Sequence, residues 1–136
     1  MDYTTQNILF KIKKVLRYIR LYGPRRTLLK VKGQYHMKKY YSEFPTLDNP
    51  PKTGGHVGLI GCGNFAFSTI AYYLNENYGH VIRAAMDRDI HKAASLFEEY
   101  ALRYYTDDSE RLIHDPEIDL IYIASNHASH AEYAIQ

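Results

Sequence analysis

HVGLIGCGNFAF, residues 56–67, is the stretch on which the reading of this chain turns. His56 to Ile60 is a short apolar run that suits a strand covered on both faces. The run breaks at Gly61-Cys62-Gly63. From Asn64 to Tyr78 the pattern becomes helical, with Ile70, Ala71, Leu74 and Tyr78 on one face, and Gly79 ends it. Outward from there the alternation continues. His80 to Met86 predicts a second strand, terminated by Asp87, and Asp89 caps a helix from Ile90 to about Ala101. Arg103-Tyr104-Tyr105 is a short third strand. Asp107 and Glu110 stand in capping-box spacing before a short helix through Ile113, and Pro116 blocks its continuation. Ile118 to Ala124, IDLIYIA, is the strongest strand, and Ser129 with Glu132 forms another capping box opening a last helix. Strands alternating with helices predict βαβ units and a parallel sheet with right-handed crossovers, in the order 3-2-1-4. The expected fold class is therefore α/β: a doubly wound parallel sheet, incomplete at the C-terminus and preceded by a basic helical extension.

The glycines point to chemistry. Gly61-x-Gly63-x-x-Ala66 fits the dinucleotide-binding spacing G-x-G-x-x-G/A. Gly61 permits the sharp strand-to-helix turn, Gly63 lets a pyrophosphate approach bare backbone, and Ala66 keeps the helix close to the strand. The helix start offers unpaired N–H groups and the positive end of its dipole to phosphates. The spacing by itself is weak, since an ordinary tight turn also uses glycines. Its place between a strand and a helix strengthens it. Asp87, 26 positions after Gly61, ends the second strand, where a carboxylate accepts hydrogen bonds from adenosine ribose hydroxyls and repels a 2′-phosphate. NAD is thus favoured as cofactor. Arg88 keeps NADP open, because a guanidinium pairs with that phosphate or stacks on adenine. Asp87 also suits a plain turn or helix-start acid, and Cys62 is read as a small residue in a crowded turn rather than a reactive thiol.

The rest of the chain differs in character. The net charge of +2 hides a split: residues 1–55 hold twelve Lys and Arg against three acids, and residues 56–136 hold five against twelve. We expect a basic helical extension over 1–41, a Pro- and Gly-rich linker over 42–55 (SEFPTLDNPPKTGG) and the dinucleotide unit over 56–136. Ile8, Leu9, Ile12, Val15, Leu16 and Ile19 draw one helical stripe from Asn7 to Tyr22, with Lys and Arg mostly opposite. Gly23 stops that helix and Pro24 opens a second toward Val31, with Gly33 leaving its continuation to Tyr41 open. Packing on the same protein is the favoured role for this segment. Attachment of residues 7–41 to an anionic membrane surface comes second, and nucleic acid or an anionic polysaccharide third, with no recognised nucleic-acid module present. No apolar run reaches the ~20 residues that cross a bilayer. One cysteine fits a reducing compartment, so a cytoplasmic protein, with peripheral membrane attachment open, is expected.

Residues 56–136 resemble the N-terminal NAD(P)-binding Rossmann domain of the Gfo/Idh/MocA oxidoreductases, the glucose–fructose oxidoreductase and inositol dehydrogenase group. VGLIGCGNFA, AAMDRDIHKAASLFEEY, YYTDDSERLIHDPEIDLIYIA and SNHASHAEYAI carry the likeness. The resemblance implies that Gly61, Cys62, Gly63, Asn64, Phe65 and Ala66 hold the pyrophosphate, and that Asp87 and Arg88 face the adenosine ribose. It also places Ala124, Ser125, Asn126 and His130 beside the cofactor beyond the fourth strand. The family usually shows Thr-Pro-Asn-x-x-His there; this chain has Ser125, Asn126, His127 and His130, so the lost Pro puts the loop's shape in question. His127 and His130 have metal-ligand spacing, but no third ligand is evident and no metal is expected. The resemblance further implies a sugar, sugar nucleotide or polyol substrate, a homo-oligomer at full length, and a catalytic Lys in a Glu-Lys-Pro motif after a fifth strand. That motif does not occur in this sequence. The expectation is an NAD(P)-dependent oxidoreductase fragment, inactive by itself. A non-catalytic nucleotide-binding module and an inactive gene fragment are the alternatives.

Overall fold

The structure, a computed structural model, describes residues 5–46 and 55–136; the expected linker falls largely on residues outside these. Helix α1 (Ile8–Tyr22) and helix α2 (Pro24–His36) come first. Then follow β1 (Val57–Ile60), a π-helical turn (Ala66–Ile70) running into α3 (Ala71–Tyr78), β2 (Ile82–Met86) and α4 (Ile90–Tyr100). β3 (Tyr104–Thr106), α5 (Ser109–Ile113), β4 (Leu120–Ile123) and α6 (His127–Ile135) complete the chain. The sheet is parallel in the order β3-β2-β1-β4, as the alternation predicted. Successive strand residues point to opposite faces. Leu59 and Ala85 join Phe67, Leu96 and Phe97 in a core beneath α3 and α4, while Ile60, Ala84 and Met86 meet Leu112 on the other side. That two-sided covering explains why β1 is buried at every position. β4 is an edge strand, with Leu120 and Tyr122 exposed.

Two caps differ from expectation. Asp108, not Asp107, caps α5 by accepting from the Glu110 N–H at 3.0 Å. α6 starts earlier than the Ser129 box allows: Asn126 caps it, accepting from the Ser129 N–H at 3.1 Å. In both places several oxygen-bearing side chains compete for one cap, and the strand preceding it sets which is in place. Asp89 caps α4 as predicted, accepting from the His91 N–H.

α2 runs through Gly33 to His36 because that glycine is a contact rather than a stop. A Cβ there would lie 2.4 Å from Asn64 Oδ1, so only glycine lets α2 approach the start of the helix after β1. Where it approaches, that helix widens. The Ala71 N–H bonds back to the Ala66 carbonyl, five residues away, bypassing Phe67. The Phe67 carbonyl accepts the Tyr100 hydroxyl at 2.6 Å instead, and the Ser68 carbonyl accepts Arg26 Nη1. Arg26 Nη2 reaches Thr69 Oγ1 at 3.2 Å, and the guanidinium lies 4.7 Å from the Tyr72 ring centroid. Arg26 is buried, contrary to the expectation that the basic residues face water. Its burial is tolerable because the Ser68 carbonyl and the Thr69 hydroxyl oxygen accept its protons.

Arg26→Ala should lower unfolding free energy by on the order of 2–3 kcal/mol, the range for hydrogen bonds to a charged group. Arg26→Lys should not restore it, since an ammonium lacks the fork that spans two acceptors. Urea titration with circular dichroism measures both.

Candidate functional site

The site is built around the peptide groups between β1 and the following helix. Gly61 takes φ +92°, a conformation that favours glycine, and its N–H donates to the Met86 carbonyl at 2.7 Å. A Cβ on Gly61 would also strike the backbone of Ala124 and Ser125, at 2.5 Å from the Ser125 nitrogen. The fold itself therefore demands this glycine. Gly63 is different. A Cβ there would meet nothing within 4 Å. Its carbonyl accepts the first helical bond, from the Phe67 N–H at 2.9 Å, which leaves the amides of Asn64, Phe65 and Ala66 ahead of the ladder.

The open side of this turn is a cleft of about 250 Å³ at the carboxyl ends of β1, β2 and β4. Its lining includes Gly61, Gly63, Asp87, Arg88, Ser125 and Asn126. Such a crevice, where the strand order reverses, is where open α/β sheets hold their ligands. Ala124 also lines it, as do Lys92, Ser129 and Tyr133, which sequence reasoning missed. Lys92 follows Asp89 by one helical turn and is paired with it at 3.2 Å, a spacing that was available as a signal.

The remaining predicted residues lie elsewhere. Cys62 and Ala66 are fully buried and contribute backbone only. The Cys62 thiol donates to the Met86 carbonyl at 3.4 Å; burial, and then the Asp87 charge, push its pKa well up, so it stays a protonated thiol. Phe65 is exposed, and Asn64 faces the groove between α1 and α2 instead of the cleft. His130 is one step removed: its Nε2 lies 2.6 Å from the Ser125 carbonyl, so it holds the loop after β4. The His127 and His130 rings are 5.5 Å apart, and no group of three or more metal-ligating side chains occurs among the described residues. The loop that has lost its Pro is shaped by Asn126, whose Oδ1 takes the Ser129 hydroxyl at 3.0 Å as well as the Ser129 amide.

Asp87 has work inside the protein. Its Oδ2 accepts the Cys62 N–H at 2.7 Å and its Oδ1 accepts the Asp89 N–H at 2.9 Å. An ionised carboxylate has about four acceptor positions, so capacity remains on the cleft side. Behind the turn, the Cys62 carbonyl meets His36 Nε2 at 2.6 Å. The His36 ring is buried and stacks on Phe67 at 4.1 Å. Its Nδ1 has no partner among the described residues, which fits the neutral tautomer with the proton on Nε2. Sequence reasoning missed His36 and Arg26. The signal was a stripe that mixes residue types: Arg26, Leu29, Gly33 and His36 recur at steps of three, four and three, and all four are buried.

Comparison with known proteins follows this geometry. The oxidoreductase family with an NAD-binding Rossmann fold, Gfo/Idh/MocA, matches residues 56–136. An oxidoreductase of Formosa agariphila, Oxidoreductase P35, is 35% identical over 81 residues, covering 58% of this chain and 25% of the relative. This chain thus spans about a quarter of the length of that relative. No solved structure matches. The chain belongs to the Gfo/Idh/MocA oxidoreductase family, with an NAD-binding Rossmann fold.

His36 makes the turn sensitive to acid. Burial lowers its pKa below the ordinary 6.5; the Cys62 carbonyl and Asp87 oppose this, and Lys92 and Lys39 add to it. Above pH 6.5 the ring is neutral in both folded and unfolded chains and costs nothing. Below it, the unfolded chain takes up a proton that the folded chain excludes, so stability falls, by up to about 1.4 kcal/mol per pH unit. Between pH 7 and 5, unfolding free energy should therefore decline less steeply in His36→Gln than in the parent, as measured by urea titration at each pH.

Proposed function

We propose that this chain forms the nucleotide-binding part of an oxidoreductase that transfers hydride between NAD and a hydroxyl-bearing carbon of a sugar, sugar nucleotide or polyol. The observation that carries the nucleotide part is Gly63: no atom of the described residues would meet a side chain's Cβ there, and the space beside it opens on the cleft. When bound, the dinucleotide supplies the hydride acceptor. The protein's part is to bind and orient it. Gly63 clears the path for the pyrophosphate, and the amides of Asn64, Phe65 and Ala66 donate to it at the positive end of the helix. Asp87 accepts from the adenosine ribose hydroxyls while keeping the turn closed through the Cys62 N–H. Arg88 stands exposed at the cleft, beside the adenosine end. Ala124, Ser125 and Asn126 form the far wall, and His130 fixes that wall through the Ser125 carbonyl. The substrate class rests on family resemblance. So does the proton acceptor for the substrate hydroxyl, a role we assign to none of the residues here.

Gly63→Val should fold, because its Cβ meets no atom of the described residues within 4 Å, yet bind NAD about tenfold more weakly or worse. An enforced clash costs on the order of 1–3 kcal/mol. Calorimetry with NAD checks this, with thermal unfolding as the folding control; unchanged affinity would remove the nucleotide assignment.

Asp87→Ser should shift the ratio of NAD to NADP affinity toward NADP, because the charge repelling a 2′-phosphate is gone. Affinity for both should also drop, as the Cys62 N–H loses its acceptor. A ratio that stays constant in a folded variant means that Asp87 does not face the ribose.

A further inference from the structure

We propose that the outward face of α1 docks on the surface of an anionic lipid bilayer. α2 and α1 have separate fates in this fold. α2 is consumed by the protein: Arg26, Leu29 and His36 are buried against the dinucleotide unit, Arg25 pairs with Glu76 at 2.7 Å, and Lys32 with Glu99 at 2.8 Å. α1 is not. It has no buried residue. Toward α2 it turns Phe10, Lys14, Val15 and Tyr18, which line the groove between the two helices. Apart from Val15, the apolar stripe seen in the sequence faces the other way. Ile8, Leu9, Ile12, Leu16 and Ile19 are each at least 39% exposed, on one side of a helix only 15 residues long.

A contiguous apolar face of this kind marks a binding surface, and its surroundings name the occupant. Residues 8–22 contain no acid. Lys13 and Arg20 follow Leu9 and Leu16 by four residues, so they flank the stripe, and Arg17 continues that edge. Among the described residues, Lys13, Arg17 and Arg20 form no ion pair. A row of buried-type side chains edged by unbalanced cations matches one surface chemically: acyl chains below, lipid phosphates alongside. A second copy of α1 would satisfy the stripe but would bring its cations against like charge. No helix among the described residues is long and apolar enough to cross a membrane, so the attachment lies in the plane of the surface.

The test is co-sedimentation of the full chain with vesicles of phosphatidylcholine, and of phosphatidylcholine with phosphatidylglycerol. Binding should require phosphatidylglycerol and weaken as salt rises. Leu16→Asp should lower the vesicle affinity about tenfold or more, as a buried Leu becomes a charge facing lipid. Arg17→Glu with Arg20→Glu should lower it about fivefold for each cation removed. All three positions are exposed, and unchanged circular dichroism confirms that the variants fold. No sedimentation with phosphatidylglycerol vesicles, or sedimentation indifferent to Leu16→Asp, overturns the proposal. A concentration-dependent dimer in ultracentrifugation that disappears in Leu16→Asp also overturns it, assigning the stripe to a second copy.

Discussion

Every functional feature of this structure depends on how the Cys62 peptide is held. Its N–H is taken by the Asp87 carboxylate at the end of β2, and its carbonyl by His36 at the end of α2. The two ends of one residue are thus tied to opposite parts of the molecule, 25 and 26 residues away in the chain. The neighbouring Gly61 N–H is taken by Met86, and the Ala124 N–H by Ile60, both at 2.7 Å. A turn between a strand and a helix would ordinarily be the softest part of a βα unit. Here it is bonded to two strand ends and a helix, and only its cleft side is left without protein. A site that recognises a ligand through backbone N–H groups needs that rigidity, because backbone donors have no rotamers with which to adapt.

The basic N-terminal segment takes on a different meaning in this light. It is two helices with opposite relations to the core. α2 supports the turn from behind: Arg26 donates to the Ser68 carbonyl beside the Phe67 carbonyl that the π-helical turn bypasses and Tyr100 satisfies, and His36 meets the carbonyl of the turn itself. A π-turn with no such partners would leave a buried acceptor unpaired, at a cost of about 1–3 kcal/mol. The two irregularities, a widened helix and a buried arginine, meet at one contact. Asn64 Oδ1 is the exception; it is buried against Gly33 with no partner, and we have no physical account of it.

Much of this was legible in the sequence, and what was not has specific causes. The strand order, the glycine turn, the Asp89 cap and the families of strands and helices follow from periodicity and local chemistry, both of which act over a few residues. The cleft itself was legible where backbone geometry sets it, at Gly61, Gly63 and Asp87, which line it. Arg26 and His36 were illegible because a stripe analysis sends charged and polar residues to water. Their burial depends on a carbonyl of Ser68, 42 residues onward, and on a turn 26 residues onward, and no local rule contains either. The exposure of the α1 stripe was hidden for the converse reason. The periodicity of Ile8 to Ile19 fixes that a face exists, and only the packing of Tyr18 and Val15 toward α2 fixes which way it turns.

The two glycines of the turn finally separate what the fold requires from what a ligand requires. Gly61 has a positive φ and lies against the backbone after β4, so any side chain there collides with the protein itself. It would be needed in a protein of this topology that bound nothing. Gly63 has neither constraint, and an alanine Cβ there would meet no atom of the described residues within 4 Å. A glycine that relieves neither strain nor contact among the described residues leaves open space beside the backbone. The cleft beside it, the three amides ahead of the first helical bond and the positive end of the helix together suit an anion brought close to the backbone, the role we propose for this turn. That is the chemistry of a dinucleotide pyrophosphate, reached from a missing side chain.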